Sequence, residues 1–177
     1  MRHVDVASRI DGFVAHVASF VPIEVLDIRP AVTSARNITF RQMDLMLDPF
    51  PLTDYTSSLS CLHALEHFGL GRYGDTVDYY GYNRAWKNLA SMVTPGGVFY
   101  FSVPIGPQRI EFDAHRVFSV PFLMDTMIQP SFSVASFAFV DDAGEIHFDE
   151  DPLGAAAGTS FGCWHGCGIF ELTRRSA

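Results

Sequence analysis

The sequence has few cysteines, no run of basic residues and no long apolar run, and each absence excludes a class of protein. Its three cysteines, Cys61, Cys163 and Cys167, are too few and too unevenly spaced for a secreted disulfide framework. The 12 lysines and arginines form no cluster, so the basic face that nucleic-acid binding requires is missing. No apolar stretch reaches about 18 residues, the length that a membrane-spanning helix needs.

The start of the chain carries no charged leader followed by an apolar run. We therefore expect a cytoplasmic protein that binds neither nucleic acid nor membrane. The sequence opens almost directly on a strand, which fits either a compact protein or a fragment of a longer one. The oligomeric state is also open, with a homodimer among the alternatives.

What is present indicates a folded domain. Hydrophobic residues make up 48% of the chain and charged residues 18%, a balance that excludes disorder. A chain of 177 residues predicts a single domain over residues 1–177. At this size about 70% of the surface of the unfolded chain becomes buried. The net charge of −8 speaks for solubility and says little about partners.

Apolar strand-like segments alternate with helical periodicity along the first two thirds of the chain, which predicts a parallel α/β sheet with helices on both faces. Asp11 is the predicted N-cap of the first helix. The C-terminal third is richer in strand signals and predicts an antiparallel edge, a hairpin turn at 141–144 and a loop over 153–168. The predicted strands are 3–7, 23–28, 38–43, 57–62, 98–103, 132–140 and 169–174, and the predicted helices are 11–20, 79–93 and 118–128.

The densest polar cluster follows the fourth strand and contains His63, Glu66 and His67. In an open α/β sheet, ligands bind outside the carboxyl ends of the strands, so this cluster falls where chemistry is expected. A second cluster after the fifth strand contains His115, a second candidate base, and Arg116. The planar guanidinium of Arg116 could hold an anionic or sugar-like acceptor.

Other interpretations of these residues stay open. His63-Ala64-Leu65-Glu66-His67 matches the inverted zinc-protease pattern, but that chemistry needs a helix, and Gly69 and Gly71 follow closely. The same residues fit a structural loop in which they cap helix or strand ends. The segment Cys163-Trp164-His165-Gly166-Cys167 offers three metal ligands without a second pair, and is more typical of a tight glycine turn with buried thiols.

The segment LHALEHFGLGRYGD, with Leu65-Glu66-His67 after the fourth strand and Pro95-Gly96-Gly97 before the fifth, resembles the class I S-adenosylmethionine-dependent methyltransferases. Within them the chain is most similar to an uncharacterised methyltransferase-like family, over roughly residues 3–120. The resemblance implies a Rossmann-like methyltransferase fold, mostly parallel with an antiparallel C-terminal edge, and S-adenosyl-L-methionine as cofactor.

The resemblance also implies which residues hold the cofactor. In the superfamily an acid and a glycine-rich turn follow the first strand. Here Ala7, Arg9 and Asp11 stand where glycine is usual, and each Cβ narrows the approach. An acid after the second strand holds the ribose, and one after the third lies near the adenine. The implied cofactor-binding residues are Asp5, Ala7, Ser8, Asp27, Ile28, Asp44, Leu45 and Leu62.

The leading functional prediction is methyl transfer to oxygen of a small or carbohydrate-like acceptor. His67 and His63 are the candidate general bases, Glu66 orients one of the rings, and His115 is the further candidate. Two alternatives remain. One is a non-enzymatic relative whose altered first turn excludes the cofactor and which binds a partner. The other is a zinc hydrolase built on His63, Glu66 and His67.

Overall fold

The computed structural model describes residues 2–176, in which ten strands and three α-helices follow one another in an α/β order. Short 3-10 helices cover Leu65–His67 and Ala155–Gly162, and a π-helix over Leu123–Ile128 continues α3. The elements are β1 (His3–Val6), α1 (Gly12–Ala18), β2 (Ile23–Asp27), β3 (Ile38–Gln42), β4 (Thr56–Leu62), α2 (Gly81–Met92), β5 (Val93–Ile105), β6 (Arg109–Ile110), β7 (Arg116–Val117), α3 (Val120–Phe122), β8 (Phe132–Val140), β9 (Ile146–His147) and β10 (Gly166–Arg174).

The main sheet has eight strands in the order β3-β2-β1-β4-β5-β10-β8-β9. The pairs among β1 to β5 are parallel, and β10 runs antiparallel to both β5 and β8. The strand order reverses at β1, where the chain crosses from β3 to β4 on its other side. In open α/β sheets this switch point leaves a crevice beyond the carboxyl ends of the strands. The predicted fold class is therefore confirmed.

The two faces of the sheet are covered unequally. α2 and the π-helix bury the larger core, in which Trp86 packs against Phe99 and Phe101 at ring distances of 5.6 and 5.0 Å. The indole N–H of Trp86 donates to the carbonyl of Met127 at 2.8 Å, so the ring is both buried and paired. On the opposite face α1 covers only a small cluster of aliphatic side chains, which includes Val14 and Val25.

Most predicted elements are present, with small shifts of their ends. The Asp11 side chain caps α1 by accepting from the backbone N–H of Val14 at 3.2 Å, as predicted. The prediction of a loop over residues 153–168 is wrong, because Ala155–Gly162 forms a 3-10 helix and β10 already begins at Gly166. Its glycines and alanines carry no apolar period that the sequence could reveal. The ribbon of β6 and β7 was not predicted either.

A buried polar network joins β1 to β4 beneath the sheet's less covered face. The carboxylate of Asp5 accepts from the hydroxyls of Ser60 at 2.5 Å and Ser8 at 3.2 Å. The ring of His3 lies 2.8 Å from both Ser58 and Ser60. Among the described residues, Oδ2 of Asp5 finds no partner although the side chain is fully buried. Burial raises the pKa of Asp5 from 3.8 to about 6, against the hydrogen bonds from Ser60 and Ser8 that lower it.

Asp5→Asn should therefore change how stability depends on pH. An acid whose pKa is raised on folding stabilises the protein while protonated and costs free energy once ionised, so its contribution falls as pH rises through 3.8 to about 6. The asparagine lacks this loss. We expect the difference in unfolding free energy, variant minus wild type, to rise by about 2 kcal/mol between about pH 4 and 7, measured by urea unfolding at several pH values.

Asp54→Asn is the matched control, because this side chain is exposed and its backbone already has the positive φ, 47°, that asparagine accepts. Its stability should follow the wild type to within about 0.5 kcal/mol. Parallel curves for Asp5→Asn and the wild type across this range would show that the buried carboxyl is not the cause.

Candidate functional site

A cleft opens at the carboxyl ends of β1 to β4, and we call it the strand-end cleft. Its cavity volume is about 190 Å³, and the space continues into open solvent at its mouth. It lies where the switch-point rule places a ligand. Its lining residues are Ala7, Ser8, Arg9, Asp27, Ile28, Arg29, Met43, Asp44, Leu45, Met46, His63, Ala64, His67, Phe68, Tyr73 and Asp75.

Six of the eight implied cofactor residues line this cleft, and two do not. Asp5 is buried in the network with Ser60 described above. Leu62 instead lines a groove on the face of the sheet that α1 covers, beside Tyr100 and Phe101. Both corrections have one cause, because successive residues of a strand point to opposite faces. Proximity in sequence to a strand end therefore does not bring a side chain to the cleft.

Asp27 lies at the end of β2 with its carboxylate turned toward the neighbouring loop. Oδ1 accepts from the backbone N–H of Arg29 at 2.8 Å and from its Nε at 2.9 Å, and Oδ2 accepts from its Nη2 at 2.6 Å. A carboxylate offers about four acceptor sites. One site on Oδ2 is therefore still open to a ligand while Arg29 is bound.

The third strand supplies the cleft with one acid and several apolar side chains. Asp44 follows β3, and its Oδ1 accepts from the backbone N–H of Met46 at 2.8 Å. Met43, Leu45 and Met46 are buried beside it and form an apolar wall. A wall of this kind suits a flat ring, while the carboxylate can take hydrogen bonds from the ring's amino group.

The turn after β1 keeps a glycine-like backbone although it lacks glycine. Ala7 and Arg9 have φ angles of 65° and 58°, in the left-handed region that favours glycine. Each such residue costs roughly 1–2 kcal/mol. The turn thus adopts glycine-like φ angles without glycine, which strains the backbone, and it places the methyl group of Ala7 at the cleft.

Ala7→Gly should relieve this strain. We expect the unfolding free energy to rise by about 0.5–1 kcal/mol, the strain relief being partly offset by the freer unfolded chain. Affinity for S-adenosylhomocysteine should increase roughly two- to fivefold, because the Cβ at the cleft is removed. Thermal unfolding and calorimetry measure the two effects.

Ala15→Gly makes the same chemical change at an exposed position inside α1 and should lower stability by about 1 kcal/mol. Equal losses at both positions would contradict the strained conformation of Ala7.

The loop between β4 and α2 is organised by Asp75. Its Oδ2 accepts from the backbone N–H groups of Gly69 at 2.7 Å and Gly71 at 3.2 Å, and its Oδ1 accepts from Tyr73 at 3.2 Å. Gly69 has φ 78°, and a Cβ there would lie 2.1 Å from the carbonyl oxygen of Asp78, so no other residue fits. The loop brings Tyr73 over the cleft, between Arg29 at 4.7 Å and the ring of His67 at 5.3 Å.

His67 has a defined tautomer. Its Nδ1 lies 3.0 Å from the carbonyl oxygen of Ala114, which can only accept, so Nδ1 carries the proton. In the neutral ring Nε2 is then the nitrogen that can accept a proton, and Oε1 of Glu66 lies 3.9 Å from it. The ring lines the strand-end cleft and also a second hollow beside it.

We call this second space the histidine hollow. Its lining residues are His63, Glu66, His67, Pro104, His115, Val140, Asp141, His165, Gly166 and Cys167. Nε2 of His115 lies 2.9 Å from Nε2 of His165, so at most one of the two nitrogens carries the proton in that contact. Burial lowers the pKa of His115, and the neighbouring His165 lowers it further. The four candidate catalytic residues, His67, His63, Glu66 and His115, thus meet at one hollow.

His63 differs from His67 in its contacts, since its ring lies against a thiol and a carboxylate. The pKa of His63 is raised to about 10, first by the hydrogen bond to Cys167 and then by that to Glu66. The ring is therefore protonated at neutral pH and is a poor general base there. Of the two leading candidates, His67 is the one whose Nε2 has no hydrogen bond to another side chain within the described residues.

Arg116 does not have the role that we predicted. The side chain is buried, and its guanidinium donates to the carbonyls of Phe68 at 2.6 Å and Tyr79 at 3.1 Å and lies over the ring of Tyr82. These contacts hold the loop before α2 to the ribbon of β6 and β7. Arg116 lines neither the strand-end cleft nor the histidine hollow.

The zinc interpretation finds no support in the geometry. Leu65–His67 is a single 3-10 turn, so the two histidines of the motif do not share a helical face. Within residues 2–176 no group of three histidine, cysteine or acidic side chains is arranged to hold a metal ion. Cys61, Cys163 and Cys167 are free, and Cys163 is buried while Cys167 is partly exposed.

Sequence reasoning missed Arg29, Tyr73 and Asp75 as lining residues of the cleft. Tyr73 and Asp75 lie in the segment that carried the resemblance, and their position there was the available signal. Arg29 follows Asp27 by two residues, a spacing that brings the guanidinium back onto the carboxylate. His165 and Cys167 were considered only as metal ligands, and nothing local in the sequence signalled that they reach the histidine hollow from the far end of the chain.

Comparisons with solved structures show the fold at nearly full coverage. N-methyltransferase NodS from Bradyrhizobium japonicum WM9, in complex with S-adenosylhomocysteine, is 12% identical, with a TM-score of 0.63 over 99% of this chain and 78% of that chain. The 1,6-didemethyltoxoflavin-N1-methyltransferase of Burkholderia thailandensis, with 1,6-didemethyltoxoflavin and S-adenosylhomocysteine bound, is 12% identical, with a TM-score of 0.66 over 99% of this chain and 71% of that chain. The [4+2]-cyclase SpnF is 12% identical, with a TM-score of 0.65 over 99% and 76%.

Sequence comparisons add the family. No curated protein sequence matches the chain. In the part of the chain that the structure describes, no helix has both the length and the apolar character needed to cross a membrane. Residues 36–150, nearly two thirds of the chain, match the family described as "Caenorhabditis protein of unknown function, DUF268". The chain therefore belongs to the DUF268 family, and its fold is that of the class I S-adenosylmethionine-dependent methyltransferases.

Proposed function

We propose that this protein is an S-adenosylmethionine-dependent methyltransferase that acts on a hydroxyl oxygen of a small or carbohydrate-like acceptor. The observation that carries the proposal is the shared cleft: acids from two neighbouring strands, Asp27 and Asp44, line the same space as His67. The fold alone does not assign the reaction, since a protein described as a [4+2]-cyclase has it too.

The residues of the strand-end cleft fit the cofactor by their chemistry. Asp27 has an acceptor site free for a ribose hydroxyl, and Asp44 lies beside the apolar wall that includes Leu45, where an adenine would be held. The backbone turn at Ala7 follows the left-handed path of a glycine turn, which lets the chain approach a ligand closely. When bound, S-adenosylmethionine supplies an electrophilic methyl group and a good leaving group.

The protein's own residues then position the acceptor and move one proton. The histidine hollow adjoins the strand-end cleft through His63 and His67, so an acceptor there would lie next to the cofactor. Nε2 of His67 takes the proton of the acceptor hydroxyl, and the Ala114 carbonyl holds the ring in the required tautomer. Positioning of this kind contributes about 7–11 kcal/mol of a barrier at best.

The polar lining of the hollow supports a hydroxyl-bearing acceptor. Ring nitrogens of His115 and His165, with the carboxylates of Glu66 and Asp141, provide both donors and acceptors of hydrogen bonds around one small space. We propose that the chain acts as one domain on such a small molecule, without nucleic acid or membrane.

A second candidate function is a non-enzymatic module that binds a partner. The pairing of Asp27 with Arg29 and the methyl group of Ala7 favour it, because both reduce the room for a nucleoside. Isothermal calorimetry with S-adenosylmethionine and S-adenosylhomocysteine separates the two. We expect saturable binding of both ligands at micromolar concentration. An absence of heat at millimolar ligand would reject the enzyme and leave the binding module.

A further inference from the structure

In the histidine hollow a thiol contacts an imidazole, and the other nitrogen of that imidazole contacts a carboxylate. β10 runs antiparallel to β5, so its first residues lie at the sheet edge where the parallel strands end, and Cys167 pairs with Pro104. His63 follows β4 at that edge. Its Nε2 is 2.9 Å from Sγ of Cys167, although the two residues are 104 positions apart.

The other nitrogen of the ring faces the acid. Nδ1 of His63 lies 3.3 Å from Oε1 of Glu66, whose side chain is only 2% exposed. Among the described residues, Oε2 of Glu66 has no hydrogen-bond partner. A nucleophile bonded to a base that a third group orients is the arrangement by which enzymes activate cysteine and serine.

The backbone of His63 is held in an unfavourable conformation to make this contact. Its φ is 49°, in the left-handed region, and its N–H donates to the carbonyl of Ser102 at 2.9 Å. Non-glycine residues in this region cost about 1–3 kcal/mol and cluster at functional sites. Cys167 is also the accessible thiol, since Cys61 and Cys163 are buried.

We propose that Cys167, His63 and Glu66 form a nucleophilic site that accepts an acyl group from an activated ester or thioester bound in the histidine hollow. The thiolate of Cys167 attacks the carbonyl carbon and forms a C–S bond. The bond from that carbon to the leaving oxygen or sulfur breaks, and the His63 imidazolium gives its proton to the leaving group. Neutral His63 then takes a proton from water, which attacks the thioester, and the acid and the Cys167 thiolate are released.

The positive charge of the protonated His63 ring favours acyl transfer over simple alkylation of the thiol, because the leaving group of an acyl transfer needs a proton. The pKa of His63 is raised to about 10, mainly through Cys167 and then Glu66, so a proton is ready for a leaving alcohol or thiol that needs one. An imidazolium beside a cysteine also favours the thiolate. The other titratable groups facing the pair are Glu66, His67, His115, Asp141 and His165.

The first test is alkylation by iodoacetamide between about pH 5 and 9 without any cofactor, with the modified cysteine identified by mass spectrometry. An ordinary thiol, with a pKa of about 8.5, loses about tenfold in rate per pH unit below that value. We expect the rate at Cys167 to stay nearly constant down to about pH 6. Buried Cys61 and Cys163 serve as internal controls that should not react.

His63→Asn isolates the activating ring, because asparagine accepts the left-handed backbone at this position. It should slow the alkylation of Cys167 at about pH 6.5 by at least tenfold and restore an ordinary thiol profile. His16→Asn, on the exposed side of α1, should leave the rate unchanged.

The second test adds p-nitrophenyl acetate, an activated ester. We expect a burst of p-nitrophenol near one per chain and an acetyl group on Cys167, both absent from Cys167→Ser. An ordinary thiol profile that His63→Asn does not change, or no acetyl adduct on Cys167, would overturn the proposal. Neither readout uses S-adenosylmethionine, so a failure here and a failure of the proposed methyl transfer are separate results.

Discussion

Replacing His67 with asparagine is expected to slow methyl transfer about 10²–10⁴-fold while leaving cofactor affinity nearly unchanged. The asparagine amide can still donate to the carbonyl of Ala114, as Nδ1 of the histidine does at 3.0 Å, so the loop keeps its anchor. What it loses is the basic nitrogen that takes the proton from a hydroxyl. Release of S-adenosylhomocysteine with a hydroxyl acceptor, and calorimetry of cofactor binding, measure the two properties.

The pH profile adds a readout that a structural defect would not change. If His67 is the general base, the acidic limb of the rate profile should vanish in His67→Asn. His16→Asn is the matched control, since that ring is exposed on α1 and lies outside both the strand-end cleft and the histidine hollow. A variant that turns over as fast as the wild type would remove His67 from the base role.

Asp27→Ala is expected to weaken binding of S-adenosylhomocysteine by about 1.5–3 kcal/mol, roughly ten- to 150-fold. The carboxylate lies at the end of β2, is 2% exposed, lines the cleft and has one acceptor position on Oδ2 that Arg29 does not occupy. Removing it would leave ribose hydroxyls without a partner in a site from which the ligand excludes water. Calorimetric titration of variant and wild type gives the difference directly.

Arg29→Ala separates this role from a structural one. Asp27 also anchors Arg29, so a loss in Asp27→Ala could come from a disordered loop. Arg29→Ala breaks the same ion pair and leaves the carboxylate free, and we expect it to bind the ligand at least as well as the wild type. Equal losses in both variants would instead assign the effect to the ion pair and contradict ribose recognition by Asp27.

The strands and helices of the fold could be predicted from the sequence, because their signals are patterns within short segments of the chain. The nearly continuous apolar run over residues 98–103 indicates the buried strand β5, and α2 repeats its buried residues with helical spacing. The start of β10 at Gly166 could not be read, because it depends on pairing with β5, more than 60 positions earlier. Such pairing leaves no mark in the glycine-rich sequence itself.

The candidate site was predictable to a similar depth. The positions of Asp27 and Asp44 at the cleft follow from strand ends alone, since parallel strands end at one edge. The face of the sheet on which the Asp5 and Leu62 side chains lie depends on strand register. The hydrogen bonds that Arg116 donates to backbone carbonyls depend on tertiary contacts. The contact of His63 with Cys167 joins residues 104 positions apart in the sequence and appears only in three dimensions.

A crystal structure of the protein soaked with S-adenosylhomocysteine tests the central claim most directly. The account predicts the nucleoside in the strand-end cleft, with a ribose hydroxyl on the carboxylate of Asp27 and the adenine against Leu45. Density for the ligand elsewhere, or an empty cleft at saturating concentration, would contradict it.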